Sequence, residues 1–281
     1  MSEKFISNWQ KQGFHTHRLS TPTEPLINIA HTGFQQMVDI YLNASRENQD
    51  SWHTPSGNVR DKPDSHLYGR SGKHKTVLGE ERENHPRIIL HYRSNTKAFL
   101  RSKGFPMNGE IEDSLDAIRE LQSIIFNEVV YPIASSFSNW YPMADFHRMI
   151  DHQIMWEMWH TIRMIWYKDG KAKKHKDRSW LTTTISESKK ALKLYGPDGT
   201  SQLVQTPPNA VLSFAGIHLE EVTLGLENEA CLLPYTQTNV MATEHEVDDP
   251  NHKEGEERIS MVGFWSFMRR LFATGRTRLV T

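Results

Sequence analysis

Apolar positions along this chain recur with two different periods, and the change falls near the middle. From Ile27 to Tyr41, the residues Ala30, Phe34, Met37, Val38 and Tyr41 return every three or four positions, the spacing of one helical face. Leu115, Ile118, Leu121, Ile125 and Val129 form a second such stripe. They predict an amphipathic helix, N-capped by Asp113 or Ser114 and ended or bent where Pro132 enters its last turns. Between the two stripes, residues 43–86 are polar and without sustained period, which reads as long loops. The short apolar run Ile88-Ile-Leu-His-Tyr92 reads as a strand.

After Pro142 the period becomes two. Ile154, Trp156, Met158, Ile162, Met164 and Trp166 alternate with Gln153, Glu157, Thr161 and Arg163, the pattern of one long strand or two with a kink. Further short strands are expected at 179–185, 191–195, 201–205, 210–215, 219–223, 238–243 and 258–267. Turn signals such as Gly196-Pro-Asp-Gly199 and Pro207-Pro-Asn209 separate them. Many short, closely spaced strands suggest a barrel or a double-sheet jelly roll. The resulting class is mainly β with flanking helices: an N-terminal helical and loop region over 1–150 packs on a core over 151–281, the two making one structural unit. No internal repeat is visible, and 248–257 reads as a polar loop.

Composition narrows the function. The chain has 281 residues, enough for a large core, with 33 Lys+Arg against 34 Asp+Glu and a net charge of -1. That balance removes the general electrostatic case for nucleic acid. A single cysteine, Cys231, excludes an intramolecular disulfide framework and all-cysteine metal sites. No apolar run is long enough for a membrane span, and the segment Met1–Gln10 lacks the apolar centre of a secretion signal, so a cytosolic, cytoplasmic location is expected. The 15 histidines and 8 tryptophans direct attention to sites.

One candidate site is the tripeptide His175-Lys-Asp177. On an extended strand, residues two apart share a face, so His175 and Asp177 can offer an imidazole nitrogen and a carboxylate oxygen to one ion. His245, in Thr243-Glu-His-Glu-Val247 near a strand end, is the candidate third ligand. Two histidines and a carboxylate on one side of an ion leave the opposite positions open, which suits Fe(II) that must accept a chelating substrate and dioxygen. Alone, an H-x-D tripeptide is expected by chance in a chain this rich in histidine, and His175 also belongs to the basic run Gly170–Lys176, where a solvated residue is the plain reading. Beyond His245, Arg258-Ile-Ser260 opens the apolar strand Met261–Phe267. An Arg and a hydroxyl two apart on a strand can hold a carboxylate by a charge-assisted fork and one further hydrogen bond, unless the Arg is simply a surface residue at a strand entrance.

Taken in order, these segments resemble the isopenicillin N synthase-like family of Fe(II)/2-oxoglutarate-dependent dioxygenases. Arg163-Met-Ile-Trp-Tyr167 resembles the strand before the metal motif, and His175-Lys-Asp-Arg-Ser-Trp-Leu-Thr182 resembles the H-x-D segment itself. Pro208–Gly216 followed by Leu219–Gly225 resembles the stretch before the distal histidine. His245-Glu-Val247 resembles the ligand segment, and Arg258-Ile-Ser260 the R-x-S motif. The resemblance covers roughly residues 155–267 and implies a double-stranded β-helix (jelly-roll) core with N-terminal helices. Carried over, it implies iron ligation by His175, Asp177 and His245. Arg258 and Ser260 would bind the distal carboxylate of 2-oxoglutarate, assisted by the Tyr167 hydroxyl. Ile165 stands where the family usually has an asparagine, Ile217 where an aspartate is common, and the connection from Gly225 to His245 is longer than usual. That length makes His252 the competing third ligand.

The activity implied is oxidation of a C–H bond of a small molecule (hydroxylation, desaturation or cyclisation) coupled to conversion of 2-oxoglutarate and O2 into succinate and carbon dioxide, in specialised metabolism. The implied partner is a small molecule, with no nucleic acid and no membrane. An Fe(II) oxidase that does not use 2-oxoglutarate is the nearest alternative, and a catalytically silent jelly-roll binding protein is another. Other residues read as structural. His147, Asp151, His152 and His160 read as core or surface residues before a second metal site. Trp156, Trp159 and Trp166 read mostly as interior filling before a pocket lining, His218 as structural, and 171–176 as a solvated loop. Arg87, Arg93 and Arg101 are open candidates for a substrate carboxylate.

Overall fold

The computed structural model describes residues 2–52, 78–81, 87–93, 96–138, 160–168, 171–217, 219–220, 240–248, 253, 255–265, 270–271 and 278–279. The two apolar stripes become the helices α2 (Glu24–Asn43) and α5 (Gly109–Ile125), preceded by α1 (Ser2–Gln12) and separated by the short α3 (Arg46–Trp52) and α4 (Thr96–Ser102). Buried Ala30, Phe34, Met37, Val38 and Tyr41 on α2 meet Ile111, Leu115, Ile118, Leu121 and Ile125 on α5. The expected cap of α5 is corrected. Asn108 caps it, its side chain accepting from the Ile111 N–H at 2.9 Å. Ser114 is instead buried one turn inside, where its hydroxyl donates to the Ala30 carbonyl at 2.9 Å. The two helices approach so closely there that a Cβ on Gly33 would lie 2.3 Å from that of Ser114.

Pro132 does not end the second stripe. The helix runs on through a five-residue π-helical segment, Phe126–Val130, into α6 (Tyr131–Ser138). The wider turn just before a residue with no N–H and a bulky ring lets the helix absorb it. Glu128 in that segment accepts from the Ser20 and Thr21 N–H groups and the Thr21 hydroxyl, tying the helix to the chain entering α2.

The strands form two antiparallel sheets. One has seven strands in the order β1 (His15–Arg18), β9 (Ala210–Ala215), β6 (Leu181–Glu187), β11 (Glu257–Trp265), β4 (His160–Lys168), β3 (Arg87–Tyr92) and β2 (Leu78–Glu81). The other has the order β5 (Ala172–His175), β10 (His245–Val247), β7 (Leu192–Tyr195) and β8 (Ser201–Val204), and β12 (Arg270–Leu271) pairs with β13 (Arg278–Leu279) apart from both. This is the jelly-roll architecture with flanking helices. Strands from before residue 150 lie in the same sheet as those after it.

Strand alternation gives the large sheet two unlike faces. Ile88, Leu90, Ile162, Met164, Trp166, Met261 and Trp265 join the helices in one apolar core. Each such side chain, once buried, contributes about 1.5–3 kcal/mol. The opposite face carries Ile89, Ile165, Tyr167, Arg258 and Ser260. Leu212 and Phe214 on that face pack with Phe14, Leu192 and Leu194, which closes one end between the sheets.

Three strand expectations are corrected. Leu219 and Glu220 are helical, not extended, because the Gly216 carbonyl accepts both of their N–H groups, at 3.1 and 3.2 Å; 221–223 lie outside the described residues. Residues 240–243 form no strand, and extended pairing starts at His245. The run 172–175, read as loop, is β5; the lysines around it pair with carboxylates, Lys171 with Asp248 at 2.8 Å, Lys174 with Glu244 at 2.6 Å and Lys176 with Glu220 at 3.3 Å. Among the described residues, no helix is long and apolar enough to cross a membrane.

Candidate metal and cosubstrate site

The pairing of β5 with β10 places His245 directly opposite His175, their ring centroids 4.3 Å apart. Asp177 follows two residues after the end of β5. One of its oxygens, Oδ1, lies 3.6 Å from His175 Nε2 and the other, Oδ2, 3.5 Å from His245 Nε2. All three ligand atoms lie within 4.8 Å of one another. Metal–ligand bonds of about 2.1 Å bring neighbouring donors to roughly 3 Å, so the cluster fits one ion with small adjustment.

Second partners orient each donor. His175 Nδ1 is 2.7 Å from the Lys173 carbonyl and His245 Nδ1 is 3.3 Å from that of Thr243. With the Nδ1–H donated in this way, each Nε2 keeps its lone pair toward the aspartate. Burial pushes the His245 imidazole below its ordinary pKa, against the pull of the Asp177 carboxylate, which favours the neutral form that ligates a metal. The Thr182 hydroxyl donates to Asp177 Oδ2 at 2.8 Å and contacts the Ser179 hydroxyl at 2.8 Å. The Asp177 backbone carbonyl accepts from the Ile217 N–H at 2.8 Å. That close packing requires Gly216, because a Cβ there would lie 2.1 Å from the Ser179 carbonyl oxygen. His245 is buried against Phe214, ring centroids 5.0 Å apart, whereas the His175 side chain is 47% exposed, so the cluster opens to solvent on the β5 side.

On the large sheet, β11 sets Arg258 opposite Tyr167 and Ser260 opposite Ile165. Arg258 is buried at 6% exposure, its guanidinium 4.3 Å above the Tyr167 ring, and its Nε and Nη1 have no hydrogen-bond partner. A buried, unpartnered guanidinium is costly unless an anion completes it. Its five-donor fork matches a carboxylate in geometry and charge. Beside it, Glu187 ends β6 opposite Ser260. Its Oε2 is closed off from solvent and without a partner, and burial pushes its carboxyl up to about 7, with Arg258 pulling the other way. Glu187 was missed in the sequence; its only signal is a lone carboxylate closing the hydroxyl-rich strand Leu181-Thr-Thr-Thr-Ile-Ser.

The remaining candidates separate cleanly. His160 is fully buried, held near a pKa of about 3 by burial, with its ring 5.4 Å from Phe126 and 5.3 Å from Trp265; it belongs to the core. Trp166 is also in the core, its indole N–H bonded to Glu257 at 3.0 Å. Arg101 pairs with Glu112 on the surface. Arg87 lies opposite Tyr167 in the register, and Arg93 Nε donates to the Thr161 hydroxyl at 3.1 Å. His147, Asp151, His152, Trp156, Trp159, His218 and His252 lie outside the described residues.

No family model matches the chain, and no curated protein matches it by sequence. Solved structures do match in fold. Dioxygenase for auxin oxidation 1 from Arabidopsis thaliana, in complex with 2-oxoglutarate, aligns at a TM-score of 0.59 and 11% identity, over 99% of this chain and 90% of its own. A full-length Neurospora crassa protein in complex with alpha-KG aligns at 0.59 and 14%, over 95% and 78%. The rice dioxygenase for auxin oxidation aligns at 0.58 and 13%, over 94% and 77%. The chain therefore shares the fold of 2-oxoglutarate-dependent Fe(II) oxygenases, and the alignments reach well into its N-terminal half.

Proposed function

We propose that this chain is a non-haem Fe(II)/2-oxoglutarate-dependent oxygenase of the isopenicillin N synthase-like kind, oxidising a C–H bond of a small molecule in specialised metabolism. The observation that carries the reading is the buried Arg258 guanidinium with unpartnered Nε and Nη1, in a fold that also gathers His175, Asp177 and His245. Support comes from the neighbours: the Arabidopsis enzyme holds 2-oxoglutarate, and the Neurospora protein has been seen with alpha-KG and thymine, a small molecule.

In this reading His175, Asp177 and His245 would hold Fe(II). Bound iron, with 2-oxoglutarate and dioxygen, supplies the oxidising chemistry that removes hydrogen from an unactivated carbon. The chain's own work is placement. Thr182 and the Nδ1 contacts fix the ligands, Phe214 keeps water from the His245 side, and Arg258, with Ser260 and the Tyr167 hydroxyl, anchors the distal carboxylate of the cosubstrate. From the N-terminal part, β3 lies beside β4 in the large sheet and sets Arg87 opposite Tyr167, on the face that carries Arg258.

The test is anaerobic titration of the Fe(II)-loaded protein with 2-oxoglutarate, followed by the weak visible charge-transfer band of the chelate. A saturable band is expected, lost in His175→Ala and weakened in Arg258→Ala. Iron binding without a band would favour an oxidase that does not use 2-oxoglutarate. Failure to bind iron would remove the reading altogether.

A further inference from the structure

The inner face of the large sheet holds more than a cation for a carboxylate. Glu187 and Arg258 face the same space from neighbouring strands, Glu187 opposite Ser260 on β11 and Arg258 two residues before it. Three polar atoms are left without partners there: Arg258 Nε, Arg258 Nη1 and Glu187 Oε2. If the pair existed only to neutralise itself, the carboxylate would complete the guanidinium, and it does not. An incoming carboxylate satisfies the two nitrogens but, being acceptor-only, leaves Oε2 facing a like group. One proton on Glu187 resolves this, because a protonated carboxyl donates to the anion beside it.

We propose that Glu187 is a positioning residue for the dicarboxylate cosubstrate, taking up a proton from solvent as the distal carboxylate docks on Arg258 and donating it as a hydrogen bond to that carboxylate. The proposal rests on the reading of Arg258 as the cosubstrate anchor. Among the described residues, the groups facing Glu187 are few. Arg258 and Ser260 come from β11 and the Tyr167 ring from β4, with Arg87 of β3 beyond it. The Thr206 N–H, after β8, donates to the carboxyl. Lys189, two residues along, is occupied by Glu256 at 2.7 Å. Arg258 is therefore the cation that keeps Glu187 ionised in the free protein, and docking diverts it to a second anion. Enclosure already holds the free carboxyl at about 7, and the arriving negative charge pushes it further up.

Calorimetry on the anaerobic Fe(II)-loaded protein at pH 8, in two buffers of different ionisation enthalpy, reads the protons exchanged per 2-oxoglutarate bound. The wild type is expected to take up close to one proton, and its affinity to fall toward tenfold per pH unit between pH 7 and 9. Glu187→Gln, which keeps a donor at that position, is expected to bind with no uptake and with affinity flat over the same range. As a readout that needs no variant, the infrared difference spectrum of the wild type on binding at pH 8 should gain the C=O stretch of a protonated carboxyl. Binding without uptake and without that stretch would overturn the role of Glu187 and leave the oxygenase reading intact. The same uptake in Glu187→Gln would also overturn it. Absence of any 2-oxoglutarate binding would instead overturn the oxygenase reading, and this proposal with it.

Discussion

The two faces of the seven-stranded sheet are built from the same strands and do opposite work. Toward α2 and α5, Met164, Trp166, Met261 and Trp265 are enclosed in apolar contact, and the one indole N–H of Trp265 is satisfied by the Thr183 hydroxyl at 2.9 Å. Toward the second sheet, one residue away at each step, lie Arg258 with two unpartnered nitrogens and Glu187 with a closed-off oxygen. The first face is closed by apolar contact, and the second keeps buried polar atoms without partners. A sheet can afford such an incomplete face because the other one supplies the stability, and a shift of register by one residue would exchange them.

The largest effect should come from the finished face. Trp265→Ala is expected to cost about 3–5 kcal/mol of stability, read as a lower thermal midpoint, while iron affinity of the folded fraction stays unchanged. Loss of iron binding without loss of stability would break the distinction between the faces. Next, Arg258→Met should weaken 2-oxoglutarate binding on the order of 10–100-fold, the loss of one charge-assisted fork of about 1.5–3 kcal/mol. Because two of its nitrogens lack hydrogen bonds and Glu187, relieved of Arg258, can take up a proton, the thermal midpoint should change little near pH 7. A large fall in the midpoint would show that Arg258 is structural.

His160 sharpens the comparison through pH. Its pKa of about 3 in the fold lies below the ordinary 6.5, so the folded state binds fewer protons than the unfolded chain across that interval. Its contribution to stability is fully present above about 6.5 and is lost as the pH falls toward 3, by up to roughly 1.4 kcal/mol per unit. Stability profiles of His160→Phe between pH 6.5 and 4 should be flatter than the wild type by up to one proton; parallel profiles would remove His160 from the acid-sensitive core. The smallest effect is expected at Thr182→Val. Losing its bond to Asp177 should weaken iron about tenfold, measured by competition with a chelator, with little change in fold. Unchanged iron affinity would mean that Asp177 is held by its backbone alone.

Much of this arrangement is legible in the residues. The stripes of α2 and α5 and the period-two run into β4 follow from spacing, because periodicity is a local property, while His175, Asp177 and His245 are picked out through the family resemblance and are brought together by the pairing of β10 with β5. What escapes depends on a partner distant in the chain. Ser114 has the chemistry of a cap, and only Gly33 on the facing helix shows why a small buried hydroxyl is needed there instead. The lysines of 171–176 are solvated as read, but the run is a strand rather than a loop, with Asp248, Glu244 and Glu220 arriving from elsewhere in the chain to pair Lys171, Lys174 and Lys176. Leu219 and Glu220 alternate as a strand would, yet one carbonyl, that of Gly216, captures both N–H groups and turns them helical. Glu187 is unremarkable in the sequence because its meaning lies wholly in Arg258, on the adjacent strand.

Among the described residues β5 is the last strand of its sheet, which has one more consequence. An outermost strand offers a row of backbone donors and acceptors to any passing extended chain, and aggregation starts at such borders. Here that border carries His175, so docking of a foreign strand would cover a ligand of the candidate iron centre as well as join two molecules. Lys173 and Lys174, both exposed on β5, set charge along it and discourage such docking. The same short basic segment that carries a candidate metal ligand thus also carries the charge that discourages strand docking along its border.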